Sequence, residues 1–498
     1  MSQAISTRDQ RLQPLSAADA AVSHDEQAAN APLCVDLDGT LVKTNTLHEL
    51  FLALLGNLQA LLSIPYWLFR GKARLKHELA RRVNLDAALF PYNEDLLDYL
   101  AKQKRAGRRL VLCTAADQRI ARAVSDYLGV FDEVLASENG RNLRGAEKAR
   151  ALVDRFGSGN FTYAGNDYTD LPVWREAKSA ILVNTPPAIA KALSGSVPIE
   201  LLIERSRRSL SAWLRALRPH QWVKNLLVFV PIVTANATGR LGDWLSAVFL
   251  FMAFCAVASS IYLFNDLTDL AADRQHRKKK TRPFACGALP IWAGVASIPV
   301  LLLGGLIAAA MSGALPAVAL YAAISIGYSL WLKEFALVDL FALATLYTLR
   351  LFAGGEATHH AVSLWLLGFS SFLFFSLAIV KRISELMQHE DATTTLPRRG
   401  YGANDLQILQ LMGVSSSFVS AMILALYVQS HEVAVRYSHP RVLWLLVPVM
   451  LFWQCRVWLV TARGAMHDDP LIYAANDWVS RAVVLGLVLI FFLAGLAF

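Results

Sequence analysis

Apolar positions are spread unevenly along the chain, and the change in pattern falls near residue 220. Before it, short apolar runs alternate with polar and glycine-containing stretches, as expected of a soluble α/β domain. After it, apolar runs of about twenty residues recur, each long enough to cross a bilayer. Nine are predicted: near 222–239, 243–264, 291–311, 313–332, 335–354, 361–380, 410–429, 440–460 and 479–498. The expected architecture is an N-terminal α/β (Rossmann-like) domain with a helical cap over 31–190. A C-terminal all-α polytopic membrane domain of about nine transmembrane helices follows over 219–498.

The pattern is most informative between Asn265 and Gly287, NDLTDLAADRQHRKKKTRPFACG, directly after the run ending Tyr262-Leu263-Phe264. If that helix continues, Asp266, Asp269 and Asp273 fall at i, i+3 and i+7 and share one face, with Asn265 a turn below Asp269. Such a face repels itself unless hard cations bridge it, which suits Mg²⁺. A basic block follows, with Arg274, Lys279 and Arg282 as candidate phosphate holders together with Lys224. Acids that bind metal beside bases that bind phosphate are what departure of a diphosphate requires. A positive-inside signal with surface counter-charges is the plainer reading of the same residues.

In the soluble part, Pro32–Leu41 reads PLCVDLDGTL, a strand that delivers Asp36 and Asp38 to the carboxyl edge of a parallel sheet. A second strand, Arg109–Thr114, ends in a hydroxyl. Lys148 follows, then a third strand, Phe161–Ala164, runs into GNDYTDLP with Asn166, Asp167 and Asp170. The cap is expected over about 44–95. Its stretch LHELFLALLGNLQALLSIPYWLFRGKARLKHELARR turns abruptly from apolar to basic, as a segment lying on a membrane does, although a buried cap core fits as well.

Residues 191–218 are expected to be a linker leading into an interfacial helix, with Leu210, Trp213, Leu214 and Leu217 on one face and arginines at 205, 207, 208, 215 and 218. Residues 1–30, rich in Ala, Ser, Gln and Asp without an apolar core, are expected to be a disordered tail and not a signal peptide. The N-terminal domain and both active sites are then cytoplasmic, on a multi-pass protein of the cell (inner) membrane.

Net charge is +9 and 55% of residues are hydrophobic. The bases cluster in loops without interleaved aromatics, so anionic membrane lipids and phosphorylated substrates are the expected partners and nucleic acid is not. Five scattered cysteines without CxxC spacing exclude a disulfide framework or a zinc site. Further polar groups are expected at the same membrane face: Lys333 with Asp339, Lys381-Arg382 with Glu385, and His467-Asp468-Asp469. Arg350 lies well inside a span, where it needs a partner or a wet cavity.

The four soluble-domain motifs, in this order, resemble the haloacid dehalogenase (HAD) phosphatase superfamily. The resemblance implies Asp36 as nucleophile, Asp38 as general acid and base, Thr114 and Lys148 as phosphate holders, and Asp170 as a Mg²⁺ ligand. Asn166 stands where that family expects an acid, with Asp167 next to it. The Asp-rich stretch on a nine-span domain resembles the UbiA superfamily of intramembrane prenyltransferases. RPHQWVKN, NDLTDLAADRQHRKKKTRP, YTLRLFAGG, KRISEL and RGAMHDDP resemble its polyprenyl-phosphate phosphoribosyltransferase branch, apart from Arg277, where a proline is usual.

That branch implies transfer of 5-phosphoribose from 5-phosphoribosyl diphosphate to a polyprenyl phosphate. Lys381 and Arg382 replace the second acidic set expected of an aromatic prenyltransferase, the alternative function. A transporter with a regulatory domain is a further alternative, although transporters gather polar groups near the midplane.

Overall fold

The computed structural model describes residues 31–54, 58–138, 141–204, 210–237, 239–388, 400–466 and 469–496. The expected tail over 1–30, Arg205, Arg207, Arg208, His467 and Asp468 lie outside them. The chain divides into two compact units. One comprises residues up to Ala216 together with Asp266–Val295, the other Leu217–Asn265 together with Ala296–Phe498.

The first unit is built on a six-stranded sheet in the order β3-β2-β1-β4-β5-β6, with every pairing parallel. Its strands are β1 (Leu33–Val35), β2 (Leu110–Asp117), β3 (Glu133–Ser137), β4 (Thr162–Gly165), β5 (Ser179–Val183) and β6 (Ile199–Ile203). β1 is fully buried and read as continuous apolar sequence, as a strand covered on both faces must be. The order reverses at β1, which places the residues after β1 and β4 at the crevice where such sheets bind ligands.

The stretch from 191 expected to be a linker instead completes this sheet: β6 pairs with β5 from Ala180–Ile199 to Val183–Ile203. Its pattern Ile-Glu-Leu-Leu-Ile is an edge-strand alternation that the nearby Gly, Ser and Pro obscured. Arg108, buried, fastens this edge by donating to Glu200 and to the Ala31 carbonyl.

Between β1 and β2 lie α1 (Thr46–Ala53), α2 (Leu58–Phe69), α3 (Lys72–Arg82) and α4 (Glu94–Arg105). The first three form the expected cap. Asn45 starts α1 by accepting from the Leu47 amide at 3.0 Å. Leu50, Leu54, Trp67, Leu75 and Leu79 fill the interior beneath the cap, whereas Leu62, Tyr66 and Phe69 lie exposed on one face of α2. The buried-core reading of the cap holds for its inner face, and α2 also carries an exposed apolar face. α5 (Gln118–Leu128) packs on the same face as α4, and on the other side of the sheet are α6 (Ala146–Phe156), α7 (Leu171–Glu176) and α8 (Pro187–Leu193). α9 (Leu210–Leu217) buries Ala212 and Ala216 and leaves Leu210 and Leu214 exposed.

The second unit is helical. Among the described residues, α11 (Leu241–Thr268), α13 (Ile291–Met311), α15 (Val338–Thr358), α16 (Leu364–Met387), α17 (Leu406–Val428), α19 (Leu446–Ala462) and α21 (Trp478–Gly495) supply seven segments long and apolar enough to cross a membrane, taken with short helical extensions of α17 and α19. α14 (Leu315–Leu330) has 16 residues, about 24 Å at 1.5 Å per residue, short of the hydrocarbon thickness.

The first expected span, 222–239, is not one helix. Pro219–Phe229 is wound as 3-10 helix and is followed only by α10 (Val230–Thr234), because Pro231 restarts the helix. This segment packs under Gly354 of α15, where any Cβ would strike the Val228 backbone. The small connecting helices α18 (His431–Arg436) and α20 (Pro470–Asn476) complete the set, and α12 (Leu270–Gln275) belongs to the first unit. All five cysteines are free, as expected.

Candidate active sites

At the carboxyl end of β1, Asp36 is 7% exposed and its Oδ1 accepts from Lys148 Nζ at 2.8 Å. The same ammonium donates to the Tyr163 hydroxyl at 2.8 Å, which in turn donates to Asp170 Oδ1 at 2.8 Å. Asp170 Oδ2 accepts from the backbone amides of Asn166 and Asp167 at 3.1 and 3.3 Å. Two buried carboxylates therefore share one buried cation, with Lys148 3.6 Å from Asp170. Burial raises the Asp36 carboxyl to about 7, against the pull of Lys148.

Asp38 is positioned by the Thr46 amide, which donates to its Oδ1 at 2.7 Å, and burial raises its carboxyl above the ordinary range. A carboxyl placed here and raised by burial is suited to exchanging a proton with a leaving oxygen. Gly39, at φ +78°, makes room for the Asn166 side chain, which a Cβ there would strike. Thr114 is fully buried, and its hydroxyl accepts from the Ala116 amide at 3.0 Å.

The structure thus brings Asp36, Lys148 and Asp170 together, with Asp38, Thr114 and Asn166 on the adjoining loops. Asp167 instead caps a turn, accepting from the Tyr168 amide at 2.7 Å. Lys76 reaches in from the cap to donate to the Ala115 carbonyl at 2.6 Å. The cavity over these groups has a volume of about 940 Å³.

The acidic segment differs from its expected geometry. α11 stops at Thr268, Asp269 adopts φ −94° and ψ 14°, and α12 begins at Leu270, so the three aspartates do not lie along one continuous helical face. Asp266 and Asp273 nevertheless meet: both are 2% exposed, and Arg282 Nη1 lies 3.1 Å from Asp266 Oδ1 and 2.7 Å from Asp273 Oδ2.

Arg274 points the other way. Its guanidinium makes a bidentate, buried pair with Glu49 of α1 at 2.8 and 2.7 Å and donates to the Ala285 carbonyl at 3.1 Å. The expected phosphate-holding role would require that pair to open. Lys279 lies exposed in a single 3-10 turn.

Within the helical unit, Asp469 is the centre of a polar cluster. Lys224 Nζ lies 2.7 Å and Lys381 Nζ 3.6 Å from its Oδ2, and the Tyr347 hydroxyl donates to it at 3.1 Å. Arg350 donates to Asn225 Oδ1 at 2.8 Å and to the Tyr321 hydroxyl at 2.9 Å, and its guanidinium lies 4.6 Å from the Tyr321 ring centroid. Neutral acceptors and an aromatic face thus surround this cation. Arg382, fully buried, pairs with Asp339 at 2.5 Å and with Glu385.

Two places suit a hard cation by their donors. Asp36 with Asp170, and Asp266 with Asp273, each present buried carboxylate oxygens gathered around a positive group of the protein, which all-oxygen Mg²⁺ coordination matches. Among the described residues, no group of three or more His, Cys, Asp or Glu forms a ready cage. Any ion would therefore complete its shell with water or substrate oxygens.

The model of the UbiA prenyltransferase family matches residues 226–476, half of the chain. The chain belongs to that family. The haloacid dehalogenase-like hydrolase model matches residues 33–175, so the UbiA-type domain is fused to an N-terminal HAD-like domain. The uncharacterized protein y4nM of Sinorhizobium fredii is 36% identical over 457 residues, covering 90% of this chain and 88% of that protein. The same fusion therefore extends over that relative.

Nodulation protein NoeC of Azorhizobium caulinodans is 39% identical over 282 residues, 56% of this chain and 91% of that protein. A decaprenyl-phosphate phosphoribosyltransferase of Mycolicibacterium smegmatis is 34% identical over 190 residues, 36% of this chain and 59% of that enzyme. The UbiA membership and the long apolar helices make this a multi-pass membrane protein.

Sequence reasoning missed Glu49, Tyr163 and Tyr347. Tyr163 sits mid-strand, where alternation marks it as core. Glu49 lies in an apolar helix, and a lone acid in such a helix was the one signal that could have flagged it.

Proposed function

We propose that this UbiA-family protein moves 5-phosphoribose from 5-phosphoribosyl diphosphate to a polyprenyl phosphate, and that its HAD-like domain then removes the 5-phosphate from the lipid product. The observation that carries the first step is the convergence of Asp266 and Asp273 on one cation at the end of a membrane-length helix. The similarity to decaprenyl-phosphate phosphoribosyltransferases supports the donor and acceptor.

In this reading a lipid phosphate oxygen bonds to the anomeric carbon as the bond to diphosphate breaks, and diphosphate leaves with the electron pair. Asp266, Asp273 and Asp269 in the first site, and Asp36 and Asp170 in the second, would hold Mg²⁺, which would supply charge neutralisation of phosphate oxygens. Arg282 and Lys279 hold phosphate oxygens.

In the second step Asp36 attacks the phosphorus, and Asp38 protonates the departing ribosyl oxygen. Water then releases phosphate from Asp36, while Lys148 and Thr114 position the group. Both sites and the soluble domain face the cytoplasm of the inner membrane, where the soluble donor is found.

The test supplies purified protein with ribose-labelled 5-phosphoribosyl diphosphate and polyprenyl phosphate. Diphosphate release that depends on the lipid, with label in the lipid fraction, supports the transfer. Release with an isoprenyl diphosphate and an aromatic acceptor instead overturns it. Asp36→Asn should accumulate the phosphorylated lipid, and unchanged product ratios would refute the second step.

A further inference from the structure

The cavity over Asp36 and Asp38 is not closed by the HAD-like domain alone. Part of its lining is Cys286, Gly287, Pro290, Ile291 and Trp292, which come from the segment after the Asp-rich stretch. Ile291 and Trp292 are the first turn of α13, a helix apolar and long enough to cross a membrane. Trp292 is 54% exposed while Ile291 is buried, so the indole stands at the rim of the cavity. A tryptophan at the first turn of a span is the residue expected at the headgroup level of a bilayer.

Two features hold this wall in place. The Arg274–Glu49 pair is 7% and 5% exposed and joins the segment to the cap helix α1. Glu49 also accepts from the Thr44 hydroxyl at 2.5 Å, so the pair is tied to the loop that follows the nucleophile motif. Gly287, at φ +74°, packs where a Cβ would lie 2.6 Å from Lys43 Cβ, so backbone meets backbone-proximal atoms with no room for a side chain. Phe51 and Ile64 of the cap extend the apolar side of the same cavity. Leu62, Tyr66 and Phe69 form a separate exposed apolar face on α2, beside Arg70 stacked at 4.7 Å on Tyr66. The polar end, at Asp36, Asp38 and Lys148, fits a phosphoryl group.

We propose that residues 286–292 are part of the substrate-binding surface of the phosphatase site, and that the site takes phosphate monoesters whose carrier is anchored in a lipid surface. Trp292 and Ile291 contact the proximal part of the anchor, and Arg274 with Glu49 positions that wall. The inference rests on the phosphatase reading given above and adds to it the wall that selects the substrate.

The test uses the full chain in detergent micelles with two probes, p-nitrophenyl phosphate and dodecyl phosphate. The variants are Trp292→Ala, which leaves the buried ion pair intact, and Glu49→Gln with Arg274→Gln, which removes the clamp without leaving a lone buried charge. Each variant should lose at least about tenfold more kcat/KM on dodecyl phosphate than on p-nitrophenyl phosphate, with the difference in KM. Equal losses on both probes, or no loss on either, would overturn the proposal. Hydrolysis of p-nitrophenyl phosphate but not of dodecyl phosphate by the wild type would also overturn it and leave a phosphatase in place. Hydrolysis of neither would remove the phosphatase reading and this inference with it.

Discussion

Two pairs of buried aspartates in the first unit solve the same electrostatic problem in different ways. Asp36 and Asp170 are delivered by the ends of adjacent parallel strands, and the cation between them, Lys148, is steadied by Tyr163 and by α6. Asp266 and Asp273 lie on either side of a helix break, and their cation, Arg282, comes from a loop nine residues beyond Asp273. The first pair is preorganised by the sheet. The second is held by a side chain that is 28% exposed, whereas Lys148 is 4% exposed. A phosphatase that repeats one small reaction gains from the first arrangement, and a transferase that must admit a highly charged donor gains from the second.

The largest expected effect comes from separating the sites. Asp36→Asn should lower phosphate release by about a thousandfold or more while diphosphate release continues, and Asp266→Asn should abolish diphosphate release while hydrolysis of p-nitrophenyl phosphate continues. Loss of both activities in either variant would show that the two acid pairs work as one site.

Next in size, Arg274→Ala should destabilise the first unit by about 3–5 kcal/mol, because it strands Glu49 as a buried charge. Chemical unfolding followed by hydrogen exchange in β1 and α1 would measure it. The Glu49→Gln, Arg274→Gln double variant should cost less than the single one.

Arg282→Gln should raise the KM for the donor by about tenfold and lower the Mg²⁺ concentration needed for half-maximal rate, since the guanidinium no longer competes for the acids. An unchanged Mg²⁺ requirement would mean that Arg282 does not stand in the metal's place.

The smallest effect concerns pH. Because the Asp36 carboxyl is raised to about 7, protons compete with Mg²⁺ there, so affinity should be full above pH 8 and weaken as pH falls through 7, by up to about tenfold per unit below it. Titration of Mg²⁺ binding in the Asp266→Asn variant would isolate this site.

The apolar periodicity and a few short motifs were enough to specify most of this protein's organisation. A run too long for a soluble core needs a bilayer, and DxDGT after a buried strand needs a sheet edge, so these follow from local chemistry. Eight of the nine expected spans fall on apolar helices. The 3-10 winding of 219–229 and the pairing of β6 did not follow, because each depends on a partner distant in sequence: the cleft at Gly354 and the exposed edge of β5. The same reason governs the ion pairs. Arg274, Arg282 and Arg382 are alike as sequence, three cations near a membrane edge. Only tertiary structure assigns them to Glu49, to Asp266 with Asp273, and to Asp339, because a buried charge must find its counter-charge wherever the fold brings one within reach.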